Sequence, residues 1–251
     1  MLNIVIPMAG LGSRFAQAGF SDPKPFIPVA GVPMIELVIR NLRPSRPHRF
    51  IFVCQEIHLQ HYDYRPRLQL LAPECEVLGL AEPTSGALCT VLAAAKFIDN
   101  DTPLMIANAD QWVDIDIDDY LLRMDDSDLD GLMMTMPAID PKWSYARFDS
   151  QGRVCEVIEK RVVSTAATVG IYNFRRGRDF CRFAREMVAR DERTLGEFYV
   201  APVYTKLYRH GLTRLDVYDV GSGMHGLGTP DDLQEFLQHP VLARALCGTE
   251  A

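Results

Sequence analysis

Leu2–Pro7 is a nearly unbroken apolar run, and the same signature returns at Arg49–Cys54, Glu76–Leu80 and Leu104–Asn108. Between these runs the period lengthens to that of helices, near Met34–Leu42, across Leu59–Leu71 and at Ala87–Phe97. Strands apolar on both faces, alternating with helices, predict a parallel sheet covered by helices. Such sheets hold their ligands at the carboxyl ends of the strands. Past Asp130 the alternation loosens. Leu132–Met136, Tyr145–Phe148, Val154–Ile158 and Thr168–Phe174 read as strands with short connections, so part of the sheet is expected to be antiparallel. Helices near Asp179–Arg190 and Val200–His210 follow, then a strand at Thr213–Val217. A last helix opens at Thr229, its N-cap, with Pro230 in the first helical position and Asp231 and Asp232 favourable to the helix dipole. No repeat or linker interrupts the chain, which predicts one α/β domain over residues 1–251 with a mixed, mainly parallel sheet.

Composition narrows the function. At 251 residues with 48% hydrophobic and 24% charged content, the chain can bury a sizeable core. A net charge of −7 argues against a general nucleic-acid binder, which needs a basic face. No apolar run approaches the roughly 20 residues that span a bilayer. The start of the chain has no basic segment ahead of its apolar run, so a cytoplasmic protein without membrane insertion is expected. Six cysteines lie scattered with no C-x-x-C pair, which predicts free thiols rather than zinc or a disulfide framework. His58 and His61 read as solvent-facing residues of a helix, and the acidic run Asp114–Tyr120 as the acids of a helix N-terminus.

The chemistry begins where the first strand ends, in MAGLGSRF and the following DPKPF. Gly10 and Gly12 allow positive φ and a close approach of bare backbone, whose successive N–H groups suit an anion. Arg14 offers a planar fork for phosphate oxygens, and Pro23 and Pro25 stiffen the segment that carries Lys24. An ordinary surface turn is one reading. A dinucleotide turn requires glycine at position 15, where this chain has Phe15, and a Walker-type loop requires a G-K-[ST] that does not follow.

G-x-G-x-R with P-K-P after an opening strand resembles the nucleotidyltransferases that activate sugar phosphates, the glucose-1-phosphate thymidylyltransferases and mannose-1-phosphate guanylyltransferases. PKPFIPVAGVPMIELVIRNL, AEPTSGALCTVLAAA, MIANADQW, VIEK, VGIYNF and GLGTPDDLQEF resemble further landmarks of that family, in order, across about residues 3–237. The resemblance implies a Rossmann-like nucleotide-diphospho-sugar transferase fold, with a nucleotide part over about residues 1–130 and an acceptor part over about 131–240. It implies Mg²⁺-dependent transfer of a nucleoside monophosphate from an NTP to a small phosphorylated acceptor for polysaccharide precursors, with release of pyrophosphate. An acceptor phosphate is already ionised near neutral pH, so the enzyme's task is alignment of two anions and absorption of charge.

By the same resemblance, Arg14, Lys24 and Asp110 form the catalytic set. Met8, Ala9, Gly10, Leu11, Gly12, Glu82, Pro83 and Gly86 bind nucleotide, and Glu159, Lys160, Gly170 and Glu197 bind the acceptor. Asp110 is the metal ligand. Relatives place a second metal-binding aspartate where this chain has Gly226, so Asp219 or His225 is considered for that role, or Asp110 with waters and phosphates alone; Asp114 is considered as a substitute for Asp110. Glu82 stands where thymidylyl and uridylyl enzymes often carry Gln. A carboxylate only accepts hydrogen bonds, which favours CTP or GTP, whose bases present amino groups. Three other functions are weighed: a cytidylyltransferase for a phosphorylated non-sugar alcohol such as phosphocholine, a silent nucleotide-sensing subunit, and a nicotinamide dehydrogenase, whose fingerprint fails at Phe15. A homo-oligomer is left open.

Overall fold

In β1 (Leu2–Pro7), side chains alternate between the two faces of a sheet: Leu2, Ile4 and Ile6 join one apolar cluster and Val5 the other. The computed structural model describes residues 1–247, and β1 sits near the middle of the sheet they form. The remaining strands are β2 (Pro28–Val29), β3 (Val32–Pro33), β4 (His48–Gln55), β5 (Glu76–Leu80), β6 (Leu104–Ala107), β7 (Gln111–Val113), β8 (Gly131–Pro137), β9 (Ser144–Phe148), β10 (Val154–Glu159), β11 (Ala166–Phe174), β12 (Leu215–Asp219) and β13 (Met224–Gly226). The large sheet runs β10-β9-β11-β6-β1-β4-β5, with β8 paired to β11 and β12 to β8. β1, β4, β5 and β6 are parallel, as the alternation of strands and helices predicts. β11 lies antiparallel to β6, β8 and β9, so the looser second half joins the first through β6.

Helices cover both faces. On one, helix Met34–Leu42 buries Ile35, Val38, Ile39 and Leu42 against Ile4 and Ile6. On the other, helix Gly177–Ala189 turns Phe180, Phe183, Ala184 and Met187 inward at helical spacing. A third cluster lies outside the sheet and joins Phe15, Ile27, Met34, Leu37, Trp112, Leu227, Leu233 and Phe236. The six cysteines are free.

Several elements differ from the sequence pattern. The helix expected across Leu59–Leu71 is two, Glu56–His61 and Tyr64–Leu71. Pro66 has no N–H for the carbonyl of Tyr62, and its ring would clash there, so a helix continuous through Tyr62 is excluded. His58 is half-buried between the rings of Tyr62 and Tyr64, not solvent-facing, and burial lowers its pKa. The helix expected at Ala87–Phe97 divides at Ala93 and Ala94, where the bonds Ala94 N–H to Val91 O (2.9 Å) and Phe97 N–H to Ala94 O (2.9 Å) tighten to three-residue spacing. Helix Val203–Arg209 begins after Pro202, since proline disfavours helical backbone at Ala201. β7 and β13, three residues each, are too short to show alternation in the sequence.

Candidate active site

β1 and β6 are parallel neighbours that end side by side, and the chain leaves them through residues 8–12 and 108–110. β4 and β5 continue the sheet on the far side of β1, so the winding reverses between β1 and β6, where open α/β sheets hold ligands. A cleft of about 410 Å³ opens there. Met8, Gly10, Gly12, Arg14, Lys24 and Asp110 line it.

Gly12 has φ of 62°, and a Cβ there would stand 3.2 Å from the Cβ of Lys24. Left-handed backbone and a close neighbour both call for glycine. Among the described residues, no amide of residues 9–12 donates to another backbone carbonyl, which leaves bare donors around the turn. The turn is held from below: Met8 is buried with its N–H on Val53 O at 2.8 Å, and the buried Gln55 amide donates to Ala9 O at 2.7 Å. Leu11 and Arg14 are exposed.

Lys24 opens the short 3₁₀ turn Lys24–Phe26, with Pro23 and Pro25 on either side. Its ammonium forms an ion pair with the Asp110 carboxylate. The two side chains are 22% and 29% exposed, so the pair is open to a ligand from the cleft. The third cluster explains how segments so distant in sequence meet. Phe15 follows Arg14, Ile27 follows the Lys24 turn, Trp112 follows Asp110, and Leu227 precedes Gly228, a further lining residue. Each chemical residue has a cluster residue within three positions. Phe15, which breaks the dinucleotide fingerprint, is 1% exposed in this cluster, and its ring centroid lies 5.7 Å from the Lys24 ammonium. β7 pairs with β13, and the Leu227 N–H donates to the Asp110 carbonyl at 2.8 Å, so the C-terminal turn is tied to the chain that leaves β6.

The donor set suits a hard divalent ion. A Cβ on Gly228 would stand 3.3 Å from Oδ2 of Asp110 and 4.0 Å from Nζ of Lys24, so glycine keeps that space clear. Among the described residues, no three His, Cys, Asp or Glu side chains group as a metal site. An ion here would take carboxylate oxygen plus waters and phosphate oxygens, the set that Mg²⁺ prefers.

Glu82 and Pro83 are exposed beyond β5 and do not line the cleft. Gly86 has φ of 119°, and a Cβ there would stand 2.5 Å from Phe198 O. Its glycine is therefore required by packing on the chain. Phe198 N–H donates to Ser85 O (2.8 Å), and Leu88 N–H to Phe198 O (3.1 Å), which fastens the loop of Glu82–Gly86 to the segment of Glu197.

Glu159, Lys160 and Glu197 lie outside the cleft and face Tyr199. Glu159 ends β10 and is 8% exposed; burial raises its carboxyl pKa, against the Ser144 hydrogen bond and the charge of Lys160. Lys160 takes a left-handed φ of 57°, donates its ammonium to Lys142 O, and lies 6.0 Å from the Tyr199 ring centroid. Burial, then the nearby Glu197 and Glu159 carboxylates, raise the Tyr199 phenol. No local motif marks Tyr199 in the sequence.

Gly170, Asp219, His225 and Asp114 have surroundings other than those the resemblance implies. Gly170 sits at a register shift of β11 with φ of 83°, but a Cβ there would meet the Asn108 amide nitrogen at 2.0 Å. The space expected for an acceptor is filled by Asn108, which lines the cleft and shares a 3.5 Å contact with Gln111. Asp219 ends β12 and accepts the Gly221 N–H at 2.8 Å, away from the cleft, because the chain must still turn through residues 220–223 to reach β13. His225 packs with Trp112, Phe236 and His239 beside a separate cavity, and burial lowers its pKa. Asp114 is ion-paired with Arg244, also outside the cleft.

A cleft at the winding reversal, floored by a glycine turn and holding a lysine–aspartate pair, marks an α/β protein of Rossmann-like fold. The chain belongs to the nucleotidyl transferase family, whose model matches residues 4–237. Over 218 residues it is 26% identical to the bifunctional protein GlmU of Ralstonia nicotianae, and over 164 residues 30% identical to that of Burkholderia multivorans. These matches cover 84% and 64% of this chain, but 45% and 34% of those proteins, so the chain spans less than half the length of either. Among solved structures, a nucleoside-diphosphate-sugar pyrophosphorylase from Vibrio cholerae RC9 superposes with a TM-score of 0.77 at 26% identity, over 94% of this chain and all of that one. A putative glucose-1-phosphate thymidylyltransferase from Bacillus anthracis shares the fold, with a TM-score of 0.73 at 18% identity over 100% of this chain and 97% of that one.

Proposed function

We propose that this protein transfers a nucleoside monophosphate from an NTP to a phosphorylated acceptor, a sugar phosphate, and releases pyrophosphate. An acceptor phosphate oxygen attacks the α-phosphorus, and the bond from that phosphorus to the bridging oxygen of the β-phosphate breaks. The observation that carries this reading is the Lys24–Asp110 pair beside Arg14 in the cleft at the ends of β1 and β6. Lys24 would bind the α-phosphate and Arg14 the leaving pyrophosphate, while the glycine-turn amides cradle the chain of phosphates. Asp110 would hold Mg²⁺. The ion would neutralise charge on the phosphates alongside Lys24 and Arg14. Glu159, Lys160, Glu197 and Tyr199 would receive the acceptor, and the exposed Glu82 favours CTP or GTP over UTP or dTTP.

Each NTP incubated with a panel of sugar phosphates and phosphocholine, in Mg²⁺, tests this by pyrophosphate release. Release with CTP or GTP and a sugar phosphate is expected; release with phosphocholine would reassign the acceptor class. Gly226, in the place of a metal-binding aspartate, favours the silent sensing reading. That reading wins if no pair releases pyrophosphate while NTPs raise the melting temperature.

A further inference from the structure

Gly226 is the one landmark that departs from the catalytic pattern, yet the space beside it is not empty. A Cβ on Gly226 would stand 3.7 Å from Cγ and 3.8 Å from Oδ2 of Asp232. A side chain from position 226 would therefore reach toward the place that the Asp232 carboxylate already holds. Asp232 lines the neighbouring cavity beside His225, and its carboxylate also comes near Gly228, a residue of the cleft. The point where a Gly228 Cβ would stand is 3.3 Å from Oδ2 of Asp110 and 3.7 Å from Oδ2 of Asp232. Glycine at 226 and at 228 puts no side chain of its own between the two carboxylates, and the Lys24 ammonium lies beside the same point.

The backbone explains the reach. Asp232 is the third residue of helix Pro230–Gln238, and Cα–Cβ bonds on a helix tilt toward its N-terminus. Its short side chain is thus directed back past Thr229 toward Gly228. The N-cap bond runs from the Asp232 backbone N–H to Thr229 Oγ1 at 3.1 Å, so the carboxylate is not needed for the cap. The three atoms nearest this space are Oδ2 of Asp110, Oδ2 of Asp232 and Nζ of Lys24, two anionic groups against one cationic group, and Arg14 lines the same cleft.

We propose that Asp232 supplies the second carboxylate for a divalent cation shared with Asp110, in place of the aspartate absent at 226. This rests on the reading of the cleft given above. Asp232 reaches the site from the helix that follows the turn, instead of from the turn itself. Waters and phosphate oxygens complete the coordination.

Mn²⁺ alone, titrated into the intact protein and followed by the electron paramagnetic resonance of the free ion, tests this without any turnover. Asp110→Asn and Asp232→Asn are each expected to weaken Mn²⁺ binding at least about tenfold, with little change in melting temperature. Gly226 lies outside the left-handed region, so it accepts a side chain without backbone strain. The double variant Gly226→Asp with Asp232→Asn is expected to regain the lost affinity. Wild-type affinity in Asp232→Asn, with Asp110→Asn weakened, overturns the role of Asp232 and leaves the Asp110 site standing. A weakened Asp232→Asn that the double variant fails to restore also overturns it, since the carboxylate then acts only through helix structure. Unchanged binding in Asp110→Asn, or none in the wild type, overturns the metal reading as a whole.

Discussion

Lys24 and Asp110 are 86 positions apart and form one ion pair, each held by its own neighbour in a shared apolar cluster. Lys24→Ala and Asp110→Ala are each expected to lower turnover by about two orders of magnitude while the melting temperature stays near that of the wild type. Near-normal turnover in either variant would remove them from the chemistry. Glu159 offers a pH test. Burial raises its folded-state pKa above the ordinary 4.5, so between 4.5 and the raised value the folded protein binds more protons than the unfolded chain. Its contribution to stability is then complete below 4.5 and is lost as pH rises through the folded pKa. Glu159→Gln removes that loss, and its melting temperature relative to wild type is expected to climb as pH rises above 4.5. A flat difference would mean that the carboxyl titrates normally.

Elements are legible where neighbours in sequence decide them. Leu2–Pro7, Met34–Leu42 and the Thr229 N-cap follow from local period and capping chemistry, and the structure has all three. Pro66 and Pro202 cut helices that the apolar period alone would extend. The three-residue strands β7 and β13 form because they pair with each other across 110 or so positions, which no short window of sequence can reveal. Gly86 is a similar case. Its glycine is demanded by Phe198, and the link fastens the Glu82 loop to the Glu197 segment. Gly86→Ala is expected to destabilise the fold by about 1–3 kcal/mol in urea unfolding, because φ and a backbone oxygen both exclude a Cβ. A change near zero would show that the loop shifts freely.

At the scale of the molecule, the parts expected to hold nucleotide and acceptor share one sheet. β11 pairs with β6, and one apolar cluster joins Val5, Ile51 and Ile106 to Phe174, Phe183 and Tyr204. Calorimetry is therefore expected to show one unfolding transition for the whole chain. A fragment of residues 1–130 is expected to show none, since it loses the partner of β6 and much of that cluster. A cooperative transition in the fragment would establish the two parts as independent domains. None of the helices described is long and apolar enough to cross a membrane.

The strand-turn chemistry of Gly10–Lys24, the order of the main elements and the N-cap at Thr229 were determined by the sequence itself, because each depends on residues within a few positions of one another. The closure of Lys24 on Asp110, the filling of the Gly170 space by Asn108 and the approach of Asp232 to the gap beside Gly226 were decided only by the tertiary structure. They depend on register and packing between segments far apart in the chain, and a side chain's reach across such a gap is a property of distance in space, which linear order does not encode.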